Sequence, residues 1–153
     1  MEKSRFRFST QIRVRNFEID WQGVVHNAVY IQYFETGRIE YLKILGVKVD
    51  ISAINRESKI VIVRSELDYK SPAKFDDLLN IFTRISRLGN TSFTFEGIIE
   101  NADTGQLVSE NRAIHVWLDP VTGEPKRVSD DFRRRVQKYE GENLEASNST
   151  HEG

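Results

Sequence analysis

One long amphipathic helix is written into residues 27–46, and a glycine sits in the middle of its apolar face. Tyr30 and Ile31, Phe34, Tyr41 and Leu42, and Leu45 recur at spacings of three and four, which brings them to one side of a helix. Gly37 falls within that side. A helix-interior glycine costs about 1 kcal/mol against alanine, so its place on the core face predicts that backbone or a side chain packs closely there. With Asn27 as the expected N-cap and Gly46 as the expected stop, the rod is about 28 Å long. That length spans a small domain.

What surrounds the helix reads as strand. Before it, Phe6, Phe8, Ile12 and Val14 share one parity, while Arg5, Arg7, Gln11, Arg13 and Arg15 share the other, the period-2 mark of a half-buried strand. The arginines make either a phosphate-binding stripe or the solvated face that one-sided antiparallel sheets present. After the helix, Asp50–Ser58 is a turn-rich connection with room for one helical turn. Four β-rich segments then follow, Lys59–Tyr69, Leu78–Leu88, Thr91–Glu100 and Leu107–Asp119. Short turns at Leu88-Gly89-Asn90 and Asn101–Gly105 argue for an antiparallel meander.

Ser129 should cap a short helix with Asp130 and Asp131 in its first turn and Lys138 near its end, the charge order that suits the helix dipole. Phe132, Val136 and Tyr139 form its apolar stripe, and Arg133, Arg134 and Arg135 a solvated face. From residue 140 onward large apolar side chains are sparse, which predicts a disordered tail after one domain spanning 1–139. The expected architecture is α+β, an antiparallel sheet of about five strands with a long helix on one face. Such a sheet stays half uncovered, so at least a dimer is expected.

Composition narrows the chemistry. With 22 Lys+Arg against 23 Asp+Glu among 153 residues, no overall field draws the chain to nucleic acid or an anionic membrane. There are no cysteines, which removes thiolate nucleophiles, thiolate zinc sites and disulfides, and suits a reducing compartment. The segment MEKSRFRFST lacks a signal-peptide core and no run approaches the roughly 20 apolar residues of a membrane span, so a cytoplasmic protein without membrane insertion is expected. No G-x-S-x-G elbow, phosphate-binding glycine loop, dinucleotide fingerprint or H-E-x-x-H occurs. His26, His115 and His151 are not spaced as metal ligands, and no metal or cofactor is expected. His115, within the last strand, reads as structural, and His151 lies in the tail.

What remains is Asp20, in the turn Asp20-Trp21-Gln22-Gly23 just before the helix. The first turn of a helix offers unpaired N–H groups and the positive end of its dipole, which favour charge developing on a carbonyl oxygen. A carboxylate nearby can attack that carbonyl or activate water against it. Thioesters suit such a device, because their carbonyl is weakly resonance-stabilised and thiolate leaves readily. An isolated D-x-x-G is otherwise an ordinary turn.

The block Arg15-Asn16-Phe17-Glu18-Ile19-Asp20-Trp21-Gln22-Gly23-Val24-Val25-His26-Asn27-Ala28-Val29-Tyr30, continued by Tyr33-Phe34-Glu35-Thr36-Gly37-Arg38, resembles the hotdog-fold acyl-CoA thioesterases of the 4-hydroxybenzoyl-CoA thioesterase type. Tyr69–Asp77, Arg87–Ser92 and His115–Asp119 before Gly123-Glu124-Pro125 extend the resemblance, in order, over about residues 8–135. It implies a hotdog fold, the helix wrapped by the sheet, in a homodimer or homotetramer with sites at the subunit interface. It implies that an acyl-CoA is hydrolysed to acid and thiol, with Asp20 as base or nucleophile and the backbone N–H of Asn27 on the thioester oxygen. His26, Tyr30, Phe34, Ile60 and Val61 become candidates for lining the acyl site, and Lys70, Lys74, Arg84 and Arg87 for meeting coenzyme A phosphates.

Two positions depart from the family pattern. Glu18 stands where many relatives carry a second aspartate, and no glycine marks the Ser58–Val61 backbone expected to complete the oxyanion site. Glu35, paired with Arg38 by its spacing, is a fallback base. An acyl carrier protein thioesterase, or a module that binds acyl thioesters without cleaving them, are the rival readings.

Overall fold

A computed structural model of the chain describes residues 1–48 and 59–146. The Asp50–Ser58 connection and His151 lie outside the described residues. Along the chain run β1 (Phe8–Arg13), α1 (Asn27–Ile44), β2 (Lys59–Tyr69), β3 (Leu78–Leu88), β4 (Ser92–Asn101), β5 (Leu107–Leu118) and α2 (Asp130–Glu140). The strands form one five-stranded sheet in the order β1-β3-β4-β5-β2. This is the expected α+β arrangement, with the ends of β2 to β5 within a residue of the periodicity, whereas β1 begins only at Phe8 because Lys3–Arg5 form a 3-10 turn.

The meander is shorter than the turns suggested. It covers β3, β4 and β5, while β1 takes the place beside β3, with Phe8 opposite Thr83 and Arg13 opposite Leu78. β2 is therefore the far edge strand. Its link to β3, Lys70–Asp77, is no hairpin turn. Lys70 and Ser71 donate backbone N–H groups to the Val108 carbonyl, and Lys74 bridges to Val24, so the link is committed to other partners.

The chain packs into two compact units. The first comprises Met1–Tyr41, Glu66–Arg84 and Glu96–Asn111, and holds the main apolar cluster. In it α1 buries Tyr30, Tyr33, Phe34, Gly37, Arg38 and Tyr41. Ile31, expected on that face, is 47% exposed. At about 100° per residue it falls off the stripe set by 30, 34, 37 and 41, and Tyr33 takes the inner position instead. The Glu35–Arg38 pairing is also replaced. Arg38 is buried and donates Nη1 to Asn111 Oδ1 at 3.2 Å, while Glu35 stays exposed. Burial lowers the Arg38 pKa, and the charge of Glu35 acts in the opposite direction.

Gly37 is where the helix meets the sheet. A Cβ there would lie 2.5 Å from Thr83 Oγ1 and 2.7 Å from Ile81 Cγ2. Both are buried side chains on β3, so neither has room to retreat. Gly37→Ala is accordingly expected to destabilise the protein by about 1–2 kcal/mol in urea unfolding, overpacking of about 2–3 kcal/mol at approaches this close outweighing the roughly 1 kcal/mol that alanine gains in helix propensity. A midpoint unchanged or raised would show that the contact relaxes freely. Gly97 makes a second close approach of this kind, against the Phe34 ring at 2.6 Å.

The second unit comprises Leu42–Ser65, Ile85–Phe95 and Arg112–Gly153. Here α1 ends as expected at Gly46, φ +80°, with Gly46 N–H on the Lys43 carbonyl and Val47 N–H on that of Leu42. Ser129 caps α2 by accepting from Phe132 N at 3.2 Å. Phe132 packs on Phe93 and Trp117, and His115 stacks on Phe93 at 5.2 Å, the structural role read for it. The three consecutive arginines are not simply a solvated face. Arg133 donates to the carbonyls of Val128, Gly89 and Asn90, and Arg135 to that of Leu45. Only Arg134 stays on the surface, beside Asp131. The ordered chain also runs past residue 139. Glu140 is fully buried, its Oε2 accepting from Ile85 N, and Glu145 N–H reaches the Ser86 carbonyl at 2.7 Å.

Candidate active site

Three short segments of the first unit lie side by side around Asp20. Ile19 bridges to Val25 and Val24 to Lys74, so Glu18–Asp20, Val24–His26 and Ala73–Phe75 form a small ribbon. Asp20 N donates to the Val24 carbonyl at 2.8 Å, His26 N to that of Glu18 at 3.1 Å and Val25 N to that of Ala73 at 2.9 Å. Alternation along a strand then sorts the faces. Val25 and Ala73 are buried, with Ile19 packed against the same cluster. Asp20, Val24 and Lys74 therefore share the opposite face, Asp20 and Lys74 about 10 Å apart at two strand spacings.

The Asp20 turn is tight and self-supported. Gly23 adopts φ +83°, where a side chain would be strained, and donates its N–H to the Asp20 carbonyl at 3.0 Å. The Asp20 carboxylate closes the turn from within, Oδ1 accepting from Gln22 N at 2.8 Å and Val24 N at 3.3 Å. Among the described residues none donates to Oδ2, and the residue is only half-buried. One oxygen is clamped and the other is available for chemistry.

The ribbon runs directly into α1. His26 is the last residue before the helix, its carbonyl accepting from Val29 N at 2.9 Å. The helix thus starts on Asn27 itself, one residue earlier than an Asn27 N-cap would place it. His26, Asn27 and Ala28 are exposed, and no described acceptor meets the Asn27 N–H. The Asn27 carbonyl accepts from the Tyr69 hydroxyl at 3.1 Å. A helix-start amide and a half-clamped carboxylate, joined by a six-residue ribbon, are thus presented to the outside.

The remaining candidates separate. Tyr30 and Phe34 are 3% and 2% exposed and belong to the main apolar cluster. The Tyr30 hydroxyl accepts from Ala73 N at 3.0 Å, tying α1 to the ribbon, and burial pushes its pKa upward. Both residues are therefore walls of the core in the single chain, not an open lining. Lys70 and Lys74 are exposed. Ile60, Val61 and Arg87 are half-buried and lie in the second unit. Arg84 is withdrawn from the phosphate candidates, because its guanidinium is buried 2.8 Å from Glu96, with the Phe6 ring 5.6 Å away. Tyr33, absent from the candidates, proves connected to the site through Glu18. Its place three residues after Tyr30 on the same helical face was the available signal. Among the described residues no three His, Cys, Asp or Glu gather as a metal site, and no helix is long and apolar enough to cross a membrane.

Comparisons with known proteins identify the family. The family model of the thioesterase-like superfamily matches residues 14–136. An acyl-CoA thioester hydrolase YbgC of Escherichia coli O6:H1 is 31% identical over 122 residues, 79% of this chain and 89% of that protein. The chloroplastic acyl-acyl carrier protein thioesterase ATL3 of Arabidopsis thaliana is 32% identical over 84% of this chain and 67% of its own. A thioesterase from Thermus thermophilus, solved with coenzyme A and Zn, superposes with a TM-score of 0.76 at 27% identity, covering 89% of this chain and 96% of that one. With a family match across most of its length and the hotdog topology of that family, the chain belongs to the thioesterase-like superfamily.

Proposed function

We propose that this protein is an acyl-CoA thioesterase in which Asp20 is the catalytic carboxylate and the α1 N-terminus the oxyanion site. The observation that carries the reading is the Asp20 clamp, one oxygen bonded to Gln22 and Val24 amides and the other left available, on a ribbon that ends at the first residue of α1. Membership of a thioesterase family supplies the substrate class, and the hydrolase and coenzyme A complex among its relatives agree with it.

In the reaction, water or the Asp20 oxygen adds to the thioester carbonyl while the Asn27 N–H and helix dipole stabilise the oxygen's growing charge. In the general-base route Asp20 takes the water proton. Collapse breaks the C–S bond, the thiolate takes that proton from Asp20 and the acid is released. In the direct route the thiolate leaves first and water then hydrolyses the acyl–Asp20 anhydride, freeing the acid and the carboxylate. Lys74, on the same face as Asp20, and Lys70 are assigned to the phosphates of coenzyme A, while His26 flanks the acyl group. A homodimer or homotetramer is proposed for the active form. β2 supports this, being an edge strand with Ile62 and Val63 48% and 59% exposed.

The decisive measurement is thiol release across short, long and aromatic acyl-CoAs. Turnover of at least one class is expected. Binding of acyl-CoA by calorimetry without any thiol release would replace the enzyme with a binding module. The Arabidopsis relative favours a second reading, hydrolysis of acyl carrier protein thioesters. The same acyl chain presented on both carriers separates the two.

A further inference from the structure

We infer that Glu18 is a positioning residue for Asp20, acting through Tyr33. The inference rests on the role proposed above for Asp20. Glu18 lies two residues before Asp20, and its oxygens accept three bonds. Its carboxylate Oε1 accepts from Arg15 N at 2.7 Å and from the Tyr33 hydroxyl at 3.0 Å. Its carbonyl accepts from His26 N at 3.1 Å, the residue immediately before α1.

These contacts join the two halves of the site by a route other than the connecting chain. Tyr33 belongs to the second turn of α1 and is 4% exposed, so its ring is fixed in the core and its hydroxyl has a single place to point. A ring held by the helix and a carboxylate held by the ribbon set the spacing between the Asp20 turn and the α1 N-terminus. Burial and the neighbouring Glu18 both raise the Tyr33 pKa, so the hydroxyl keeps its proton and remains the donor. The Glu18 Oε1 is turned back toward Arg15 and Tyr33 and is occupied by both donors. At this position the glutamate arm reaches the helix tyrosine.

The consequence is geometric. A displacement of about 1 Å between reacting groups can lower a rate on the order of a hundredfold. Glu18→Ala and Tyr33→Phe are each expected to lower kcat by about 10- to 100-fold, with KM changed by less than about threefold. Glu18→Gln keeps an oxygen acceptor for both donors and should stay within about threefold of the parent.

The test is steady-state thiol release by the full chain for Glu18→Ala, Glu18→Gln and Tyr33→Phe, each alone and combined with Asp20→Asn, at a temperature where circular dichroism shows the variant folded. Because Glu18 acts through Asp20, adding Glu18→Ala to Asp20→Asn should change kcat by less than about twofold. Wild-type kcat in both Glu18→Ala and Tyr33→Phe would overturn the inference. So would an undiminished further loss in the Asp20→Asn background, or a Glu18→Gln as impaired as Glu18→Ala, which would make the charge itself essential. If Glu18→Ala does not fold, Tyr33→Phe, lacking one oxygen, carries the same expectations. Full activity in Asp20→Asn alone would instead remove the role of Asp20.

Discussion

Asp20→Asn is expected to lower kcat for acyl-CoA hydrolysis by at least about a hundredfold, the scale of a positioned acid or base, while leaving the protein folded. The separation of the two effects follows from the turn. The oxygen that holds it, Oδ1, accepts from Gln22 N and Val24 N. An asparagine side-chain oxygen can accept both bonds, and Gly23 keeps its own bond to the residue 20 carbonyl. What disappears is the negative charge and basicity of the second oxygen, required whether it takes a proton from water or attacks directly. Thiol release reads the rate, and the thermal midpoint checks the turn. Turnover equal to the parent in a well-folded variant would end the assignment of Asp20.

The largest stability effect is expected from Glu96→Ala. Arg84 Nη2 and Glu96 Oε1 are 2.8 Å apart, and both side chains are 3% exposed. A second bond runs from Arg84 Nε to the same oxygen at 3.0 Å. Removing the carboxylate takes the Glu96 partner from a buried guanidinium, and breaking such a buried pair costs about 3–5 kcal/mol. At this chain length the melting temperature should fall by roughly 10 °C. Replacing both partners, as Arg84→Met with Glu96→Leu, removes the buried charge itself and should restore most of the loss. The same geometry predicts that Arg84→Met leaves the KM for acyl-CoA unchanged once the protein is folded. A KM raised severalfold would return Arg84 to the phosphate site.

The two experiments mark different depths at which the chain could be read. Local features depend on neighbours within a turn or a strand, and they were legible. The alternation from Phe8 to Val14, the Gly46 stop, the Ser129 cap and the close approach at Gly37 all follow from side-chain spacing and backbone permissiveness. The Asp20 turn was legible for the same reason, since its bonds run among residues 20 to 24.

Contacts between distant segments were not. Nothing near Arg84 in the chain announces Glu96, and a cation on a strand looks the same whether it faces water or an acid on the next strand. Arg133 and Arg135 read as solvated for that reason, although they hold carbonyls as remote as those of Gly89 and Leu45. Tyr33 was passed over because its value lies in a hydroxyl that finds Glu18 fifteen positions away. The strand order was likewise hidden, because short turns mark which strands are joined and not which edge a longer link will reach.

By itself, then, the sequence determined the elements, their buried faces and the carboxylate turn, since these obey periodicities of two and 3.6 residues and the φ preferences of single residues. Only the tertiary structure decided that β2 stands at the far edge, that Arg84 is spent on Glu96, and that Glu18 ties the turn to the helix. Those outcomes depend on which distant groups compete for the same donor or acceptor once water is excluded, and no local pattern records that competition.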